Sequence, residues 1–491
     1  MLTPTPRRKH LSGAQSPKQP TSWLDYLFAP IDIASLVVFR VALGVILLVE
    51  MLRFLLHGWV YEFYVAPVFH FSYFGFAWLR PLPPLAMYGL FLTLCLLAGM
   101  IVVGWHYRTA CLLFCAGFTY VFLLEKAFYM NHFYFVCLLT LVMAFVPAQR
   151  QFSYDARRGP GLRSDYIPRW SLWLLRFMIA LPYVYGGIAK INADWLQGQP
   201  MQMWMSRMTQ LREFVPMFGE PWLALAFSYG GLALDLLIVP LLLWTPTRRY
   251  ALVVAIFFHV CNSVMFQIGI FPWLMICGTT LFLAPDWPRR VLRSVPQAAP
   301  MPANFPRVWP WADRFGAAFL GLFLLVQIIV PWRHLLYPGD VDWTEEGSRF
   351  AWRMMLNEKI AALQFVAVDP KTQRVGSLDI RPYLTPRQLD KMSYDPEMIR
   401  EFAHFLQQQR VREGHGQQEI HALVFCALNG RKPQLLVDPR ANLATRERTW
   451  QTANWIKPLT EPLPEIAWTM PPAEWPQHFD LAPQAKFTPS R

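Results

Sequence analysis

Charged residues are scarce in this chain: they make up 16% of its 491 residues, while 54% are apolar. An ordinary soluble domain carries roughly 25% charged residues, so a single soluble domain is excluded. Acid is scarcer than base, with 32 Asp and Glu against 45 Lys and Arg, a net charge of +13. From Asp340 onward the signs balance at 19 each, so residues 1–339, the apolar part, hold the whole excess as 26 basic and 13 acidic residues. Positive charge confined to short connections between hydrophobic runs is a membrane-topology signal, and it argues against a nucleic-acid partner. Metal-site spacing is missing too. Six of the seven cysteines lie in hydrophobic segments, and Cys111 and Cys115 share a helix face without a further Cys or His, so no metal is expected. No internal repeat is visible, which counts against a typical secondary transporter.

What is present is a series of nine hydrophobic runs, near 31–56, 85–104, 107–125, 128–147, 170–190, 221–244, 250–268, 270–285 and 313–335. Each is long enough, or nearly so, to cross a hydrocarbon core of about 30 Å. The first is too long for a signal peptide, contains Arg40 and Glu50, and has no small-residue cleavage site after it. With the N-terminal arm (1–30, with Arg7, Arg8, Lys9 and Lys18) cytoplasmic, the even-numbered connections are cytoplasmic as well. They hold Arg108, then Arg150, Arg157, Arg158, Arg163 and Arg169, then Arg248 and Arg249, then Arg289, Arg290, Arg293 and Arg307. Only the fifth connection, with Arg207 and Arg212, dissents. The expected fold is therefore a polytopic α-helical membrane protein of about nine spans (31–339), its C-terminal domain (340–491) outside the cytoplasm. The basic inner loops and short length fit a bacterial inner membrane.

The C-terminal domain reads as mixed α/β or mainly β. Leu363–Val368 and Ala422–Phe425 alternate like strands, and Asp369-Pro370-Lys371 forms a turn after the first. Residues 394–410 read as a helix with Met398, Phe402 and Phe405 on its apolar face, and 458–491 is a Pro-rich, extended end.

Ionisable groups inside spans are expensive and are functional candidates by default. Here they are Arg40, Glu50, Glu125, Lys126, His132, Lys190, Asp235 and His259, with Asn131, Asn192, Asn262 and Gln267 as neutral companions. The topology puts His132, Lys190, His259 and Asn262 near one level at the outer boundary, which points to a shared polar cavity opening toward the C-terminal domain. Burial disfavours a lysine's charged form, so Lys190 can serve there as a base. Position alone equally allows an interfacial lysine snorkelling beside Trp195, and structural roles for His132 and His259. Arg40 and Asp235 read as structural, paired intramembrane charges, and Glu125 with Lys126 as a solvated pair at a helix end.

At these residues the chain resembles the vitamin K-dependent γ-glutamyl carboxylases and the wider HTTM-domain group, from about Leu27 to Trp343 and more weakly through the tail. The likeness is carried in one order by Leu27–Asp32 with Val38-Phe39-Arg40, Arg80–Pro83, Phe122–Lys126 with Asn131–Tyr134, Ala189–Trp195, Gly230-Gly231-Leu232 with Asp235, Phe258-His259 with Asn262-Ser263, Ile268–Pro272, and Pro285–Pro288. The resemblance implies that Lys190 is the base that deprotonates vitamin K (or menaquinone) hydroquinone, and that His132 assists carboxylation. Asn131, His259, Asn262 and Phe271 then fall to the quinone. Oxygen and carbon dioxide are the implied co-substrates, the quinone epoxide and a γ-carboxylated peptide glutamate the products, and the lipid quinone pool and a glutamate-containing protein the partners. Aromatic side chains including Phe71, Tyr73, Phe76 and Trp273 are candidates for the quinone tail's path.

The chain also departs from the family. The stretch Trp352-Arg353-Met354-Met355-Leu356-Asn357-Glu358-Lys359 keeps the tryptophan implied in holding substrate glutamate, but has Asn357 where histidine is expected and Lys359 in place of arginine. The vertebrate disulfide cannot form, because residues 57–84 lack cysteine, and the shorter tail puts the propeptide-recognition surface in question. Two alternatives therefore stand beside the carboxylase: a quinone epoxidase without glutamate carboxylation, and a non-catalytic quinone- or lipid-binding membrane protein.

Overall fold

A computed structural model of the chain describes residues 22–208, 213, 216–266, 268–292, 296–301 and 314–475. Gln267, the arm's Arg7, Arg8, Lys9 and Lys18, and Arg212, Arg293 and Arg307 lie outside the described residues.

Every expected hydrophobic run contains a helix: α1 (Ala34–Leu56), α2 (Pro84–Val103), α3 (Tyr107–Leu124), α4 (Asn131–Phe145), α5 (Trp170–Ala189), α6 (Pro221–Leu243), α7 (Arg248–Met265), α8 (Phe271–Thr279) and α9 (Arg314–Ile329). Among the described residues, six of these segments are long and apolar enough to cross a membrane, the last as Phe315–Leu336. The other three fall short for identifiable reasons. Helix α4 has only 15 residues and opens on Asn131 and His132. Helix α7 begins with Arg248 and Arg249 and carries His259 and Asn262, and α8 has nine residues before a 3-10 turn. These three short or polar helices carry five of the six expected quinone-site and carboxylation residues.

Local chemistry sets several boundaries. Proline opens α2 and α6 at their first turns, where its missing N–H costs nothing. Gly104 ends α2 at φ 67°, and a Cβ there would lie 2.5 Å from Ser153 Cβ. Pro182 inside α5 leaves a gap in the helical ladder next to Tyr183.

In the membrane half two short strands pair antiparallel, β1 (Pro30–Asp32) with β2 (Tyr166–Pro168), and after α9 the chain enters a four-stranded sheet of order β4-β3-β5-β6, with β3 (Lys359–Val368), β4 (Val375–Leu378), β5 (Glu419–Leu428) and β6 (Gln434–Leu435). Strand β3 pairs antiparallel with β5 along its whole length, from Lys359 opposite Leu428 to Val368 opposite Glu419. Asp369 turns the chain back into β4, its carboxylate accepting from Lys371 N and Thr372 N. Two helices, α10 (Pro386–Ser393) and α11 (Pro396–Arg412), cover the sheet, and α11 buries Met398 and Phe402 as its periodicity predicts. Phe71 and Ala127 from the membrane half join this second core.

The two halves are riveted by buried polar contacts. Lys126 Nζ lies 2.8 Å from Glu401 of α11, and Glu125 accepts from Gln388 Nε2 of α10 at 2.8 Å. Both residues of the helix-end pair are buried, so they are not solvated as the sequence suggests; each serves the domain junction instead. Asp194 receives Arg431 (2.5 and 2.7 Å) and Asn429 (2.7 Å) from beyond β5.

Candidate functional site

A cavity of about 830 Å³ lies where α4, α5, α6 and α7 meet the C-terminal domain. Lys190, His132, Asn131, His259, Asn262 and Phe271 all line it, as the common level inferred from topology requires. Asp235 lines it too, which gives that residue a place in the site beyond a structural charge.

Lys190 caps the C-terminal end of α5 and is buried. Its Nζ lies 2.7 Å from Asp235 Oδ2 on α6 and 5.2 Å from the centre of the Trp195 ring. The snorkelling alternative fails, because the ammonium points at a carboxylate inside the protein. Close approach of α5 and α6 makes this possible. A Cβ on Gly187 would sit 2.8 Å from a Leu236 methyl and 3.2 Å from Asp235 Cβ, so glycine there lets the helices approach without displacing those side chains. Asn192 caps the next short helix by accepting from Trp195 N at 2.9 Å, and Trp195 Nε1 donates to Ser228 O at 2.8 Å. The lysine motif is thus tied to α6 through Lys190 and Trp195, and to the C-terminal domain through Asp194.

His259 Nε2 lies 2.5 Å from the Tyr183 hydroxyl, while its buried Nδ1 has no hydrogen-bond partner among the described residues. A buried ring nitrogen without a partner carries a desolvation cost. His132 is buried with its ring 6.3 Å from that of Phe271. Asn131 joins α4 to the C-terminal domain, donating to Arg353 O and accepting from the Tyr129 hydroxyl, both at 2.9 Å.

The remaining expected residues separate. Asn357 lines the cavity, its Nδ2 bound to Asp342 at 3.0 Å. Trp352 and Lys359 do not. Trp352 is fully buried against Tyr134 and Phe135, and the Lys359 ammonium is held by Glu345 (2.7 Å) and Trp343 O (3.0 Å). Arg40 lies apart, bonded to the carbonyls of Ala148, Val102, Gln151 and Phe152 rather than to a carboxylate. Phe71 and Tyr73 are buried away from this cavity and Trp273 is exposed. Tyr73 and Phe76 instead line a second cavity of about 560 Å³.

The structure adds cavity residues that intramembrane charge could not reveal. Arg353 pairs with Asp342 at 2.5 Å, Arg349 pairs with Asp395, and Lys391 and Tyr394 stand on the same wall. Burial opposes the Asp395 charge, but the Arg349 guanidinium, helped by Lys126, holds its carboxyl at about 2. The segment supplying much of this wall is strained: Glu345, Phe350, Trp352 and Met355 have φ of 61°, 61°, 57° and 52°. Such backbone persists only where its surroundings enforce it. Positive φ in bulky residues leaves no mark in sequence, and the wall's charges lie in a stretch where charge is ordinary.

Fold and site together define a multi-pass membrane protein whose extracytoplasmic domain closes one end of a buried, ionisable cavity. Residues 28–287, more than half of the chain, match the family model described as HTTM domain, and residues 312–462 match the vitamin K-dependent gamma-carboxylase, lumenal domain. The chain belongs to the vitamin K-dependent gamma-carboxylase family, within the HTTM-domain proteins. No solved structure matches it.

Proposed function

We propose that this protein couples oxygenation of a reduced naphthoquinone of the vitamin K or menaquinone type to γ-carboxylation of peptide glutamate, at the outer face of a bacterial inner membrane. The observation that carries the reading is the placement of Lys190: a buried amine in a cavity walled by apolar helices on one side and by a charged extracytoplasmic domain on the other.

The cavity suits a quinone. Its volume lies within the usual range for small-ligand pockets, roughly 300–1,000 Å³, and Phe258, Phe266 and Phe271 supply flat apolar walls. Asn262 offers a polar contact for a ring oxygen, and Lys190 is the candidate proton acceptor. When bound, the hydroquinone supplies the electrons for oxygen reduction and hence the driving force for removing a γ-hydrogen. The chain's own part is to handle protons and exclude water. Asp235 Oδ2 is placed to take the proton that Lys190 carries, which frees the amine to accept one from a hydroxyl. We assign His132, whose ring lies 6.3 Å from that of Phe271, to proton handling at the carboxylation step. Burial keeps bulk water from quenching a carbanion.

One observation favours a second reading, an epoxidase that does not carboxylate glutamate: Trp352 and Lys359 are withdrawn from the cavity wall. A single assay separates the two. Detergent-purified protein receives hydroquinone, oxygen, labelled bicarbonate and a glutamyl peptide. Acid-stable label in the peptide, with epoxide, is the expected result. Epoxide alone selects the second reading, and absence of both products rejects catalysis.

A further inference from the structure

Five lysines and arginines line the main cavity: Lys126, Lys190, Arg349, Arg353 and Lys391. Four are matched by carboxylates, namely Glu401, Asp235, Asp395 and Asp342 in that order. Lys391 is the exception, with no ion pair among the described residues. Its Nζ hydrogen-bonds the Tyr394 hydroxyl and lies 5.2 Å from the centre of that ring. The nearest candidates do not neutralise it. Glu345 is taken by Lys359, and Asp390 acts on Lys391 only through space.

We propose that Lys391 and the Tyr394 hydroxyl beside it form the anchor for the side-chain carboxylate of an acidic peptide in this cavity. The proposal rests on the carboxylase reading for the identity of the substrate. Its chemistry is local. An ammonium has three N–H donors, and Tyr394 uses one of them as an acceptor, so its own O–H remains free to donate. A carboxylate has two oxygens, and Lys391 and Tyr394 offer two adjacent donors, one of them charged. Burial, reinforced by Asp390 and Glu345, pushes the Tyr394 phenol well above its usual value, so the hydroxyl keeps its proton. A half-buried ammonium without a counter-ion pays for desolvation that a bound carboxylate would offset.

The anchor is also held still. Gln388, one turn earlier on α10, donates to Glu125 and to Phe69 O, both at 2.8 Å, and so fixes the helix against the membrane half. Arg387 stacks 5.2 Å from Phe128 on the same junction. By contrast, the Lys359 ammonium is committed to Glu345 and Trp343 O, although it lies 6.0 Å from the centre of the Tyr394 ring.

The test uses the full chain in detergent and two fluorescent peptides that differ only in carrying glutamate or glutamine, with affinity read by anisotropy. Charge-assisted hydrogen bonds predict that the wild type binds the glutamyl peptide at least about 10-fold more tightly. Lys391→Gln should reduce that preference to about two-fold or less, and Lys391→Arg should restore most of it. Tyr394→Phe, the check if Lys391→Gln does not fold, should lower the preference by about three-fold or more. Equal binding of the two peptides by the wild type, or an undiminished preference in the folded variants, overturns the anchor. So does a preference that is unchanged while the bicarbonate KM rises, which would give the anion site to bicarbonate. A preference that requires Lys391, in a protein that makes no carboxylated product, upholds the anchor and rejects the carboxylase reading.

Discussion

Lys190 and Asp235 stand 45 residues apart and meet at 2.7 Å, in a wall where neither has another charged partner within ion-pair distance among the described residues. If the carboxylate relays the lysine's proton, Asp235→Asn should lower hydroquinone epoxidation by about 10²–10⁴-fold while preserving the hydrogen bond, and Lys190→Ala should lower it at least as far. A purely structural aspartate would instead show as lost stability with turnover per folded molecule intact. A second prediction concerns Asp395, which Arg349 holds at about 2 against an ordinary 3.8. A depressed carboxylate stabilises the fold above its unfolded value and loses that contribution as pH falls through the folded one. The thermal midpoint should therefore be insensitive to this pair above about pH 4 and should fall between there and about pH 2. Asp395→Asn should lower the midpoint at neutral pH and flatten that acid limb.

The helices divide by the work they do. Six are long and apolar enough to cross, and two of these, α5 and α6, still bring Tyr183 and Asp235 to the cavity, whereas α4, α7 and α8 trade length or hydropathy for cavity side chains. Helix α4 can do so because it is buried by protein along nearly its whole length, and its neighbours shield it from lipid. The α5–α6 contact depends on Gly187. Gly187→Val would drive methyls into Leu236 and Asp235, an overpacking cost of about 1–3 kcal/mol, with the larger effect expected on activity because the Lys190–Asp235 distance opens. Reduced hydroquinone turnover together with a lowered thermal midpoint checks it. At the junction, Lys126→Met leaves the partly buried Glu401 carboxylate without its ion-pair partner and should cost about 1–3 kcal/mol in denaturant unfolding. Adding Glu401→Gln should recover most of that loss.

For the molecule as a whole, the basic inner connections and the matched lumenal domain agree on orientation: helices through the bilayer, C-terminal domain outside. A cysteine at Ile466, which is 86% exposed, should react with an impermeant maleimide on intact cells. One at Arg158, exposed in an inner connection, should react only after permeabilisation. Labelling of both, or of neither, in intact cells would refute the orientation. The two halves share one cavity, so they should not be separable without loss of function. Lys190 and His132 come from the membrane half and Lys391, Arg349 and Arg353 from the other, with Asp194–Arg431 and Lys126–Glu401 holding the seam.

Much of this was legible in the linear chain because apolar surroundings make an ionisable residue conspicuous. Lys190, His132, His259 and Asn262 stand out in hydrophobic runs, and helical periodicity with the charge of the connections puts them at one level. The same argument could not say which charge meets which. Asp235 reads as a structural charge because its partner lies on another helix, and the short lengths of α4 and α8 are set by where the folded helices end. In the C-terminal domain charge is common, so Lys391, Arg349 and Asp342 carry no sequence signal, and the withdrawal of Trp352 and Lys359 is written only in strained backbone and cross-strand register. Composition and charge placement determined the membrane, the orientation and the depth of the site, since these follow from solvation of single residues. Pairing, and with it the identity of the cavity's unmatched cation, belongs to the tertiary structure, because an ion pair is a property of distance between segments that the chain order does not encode.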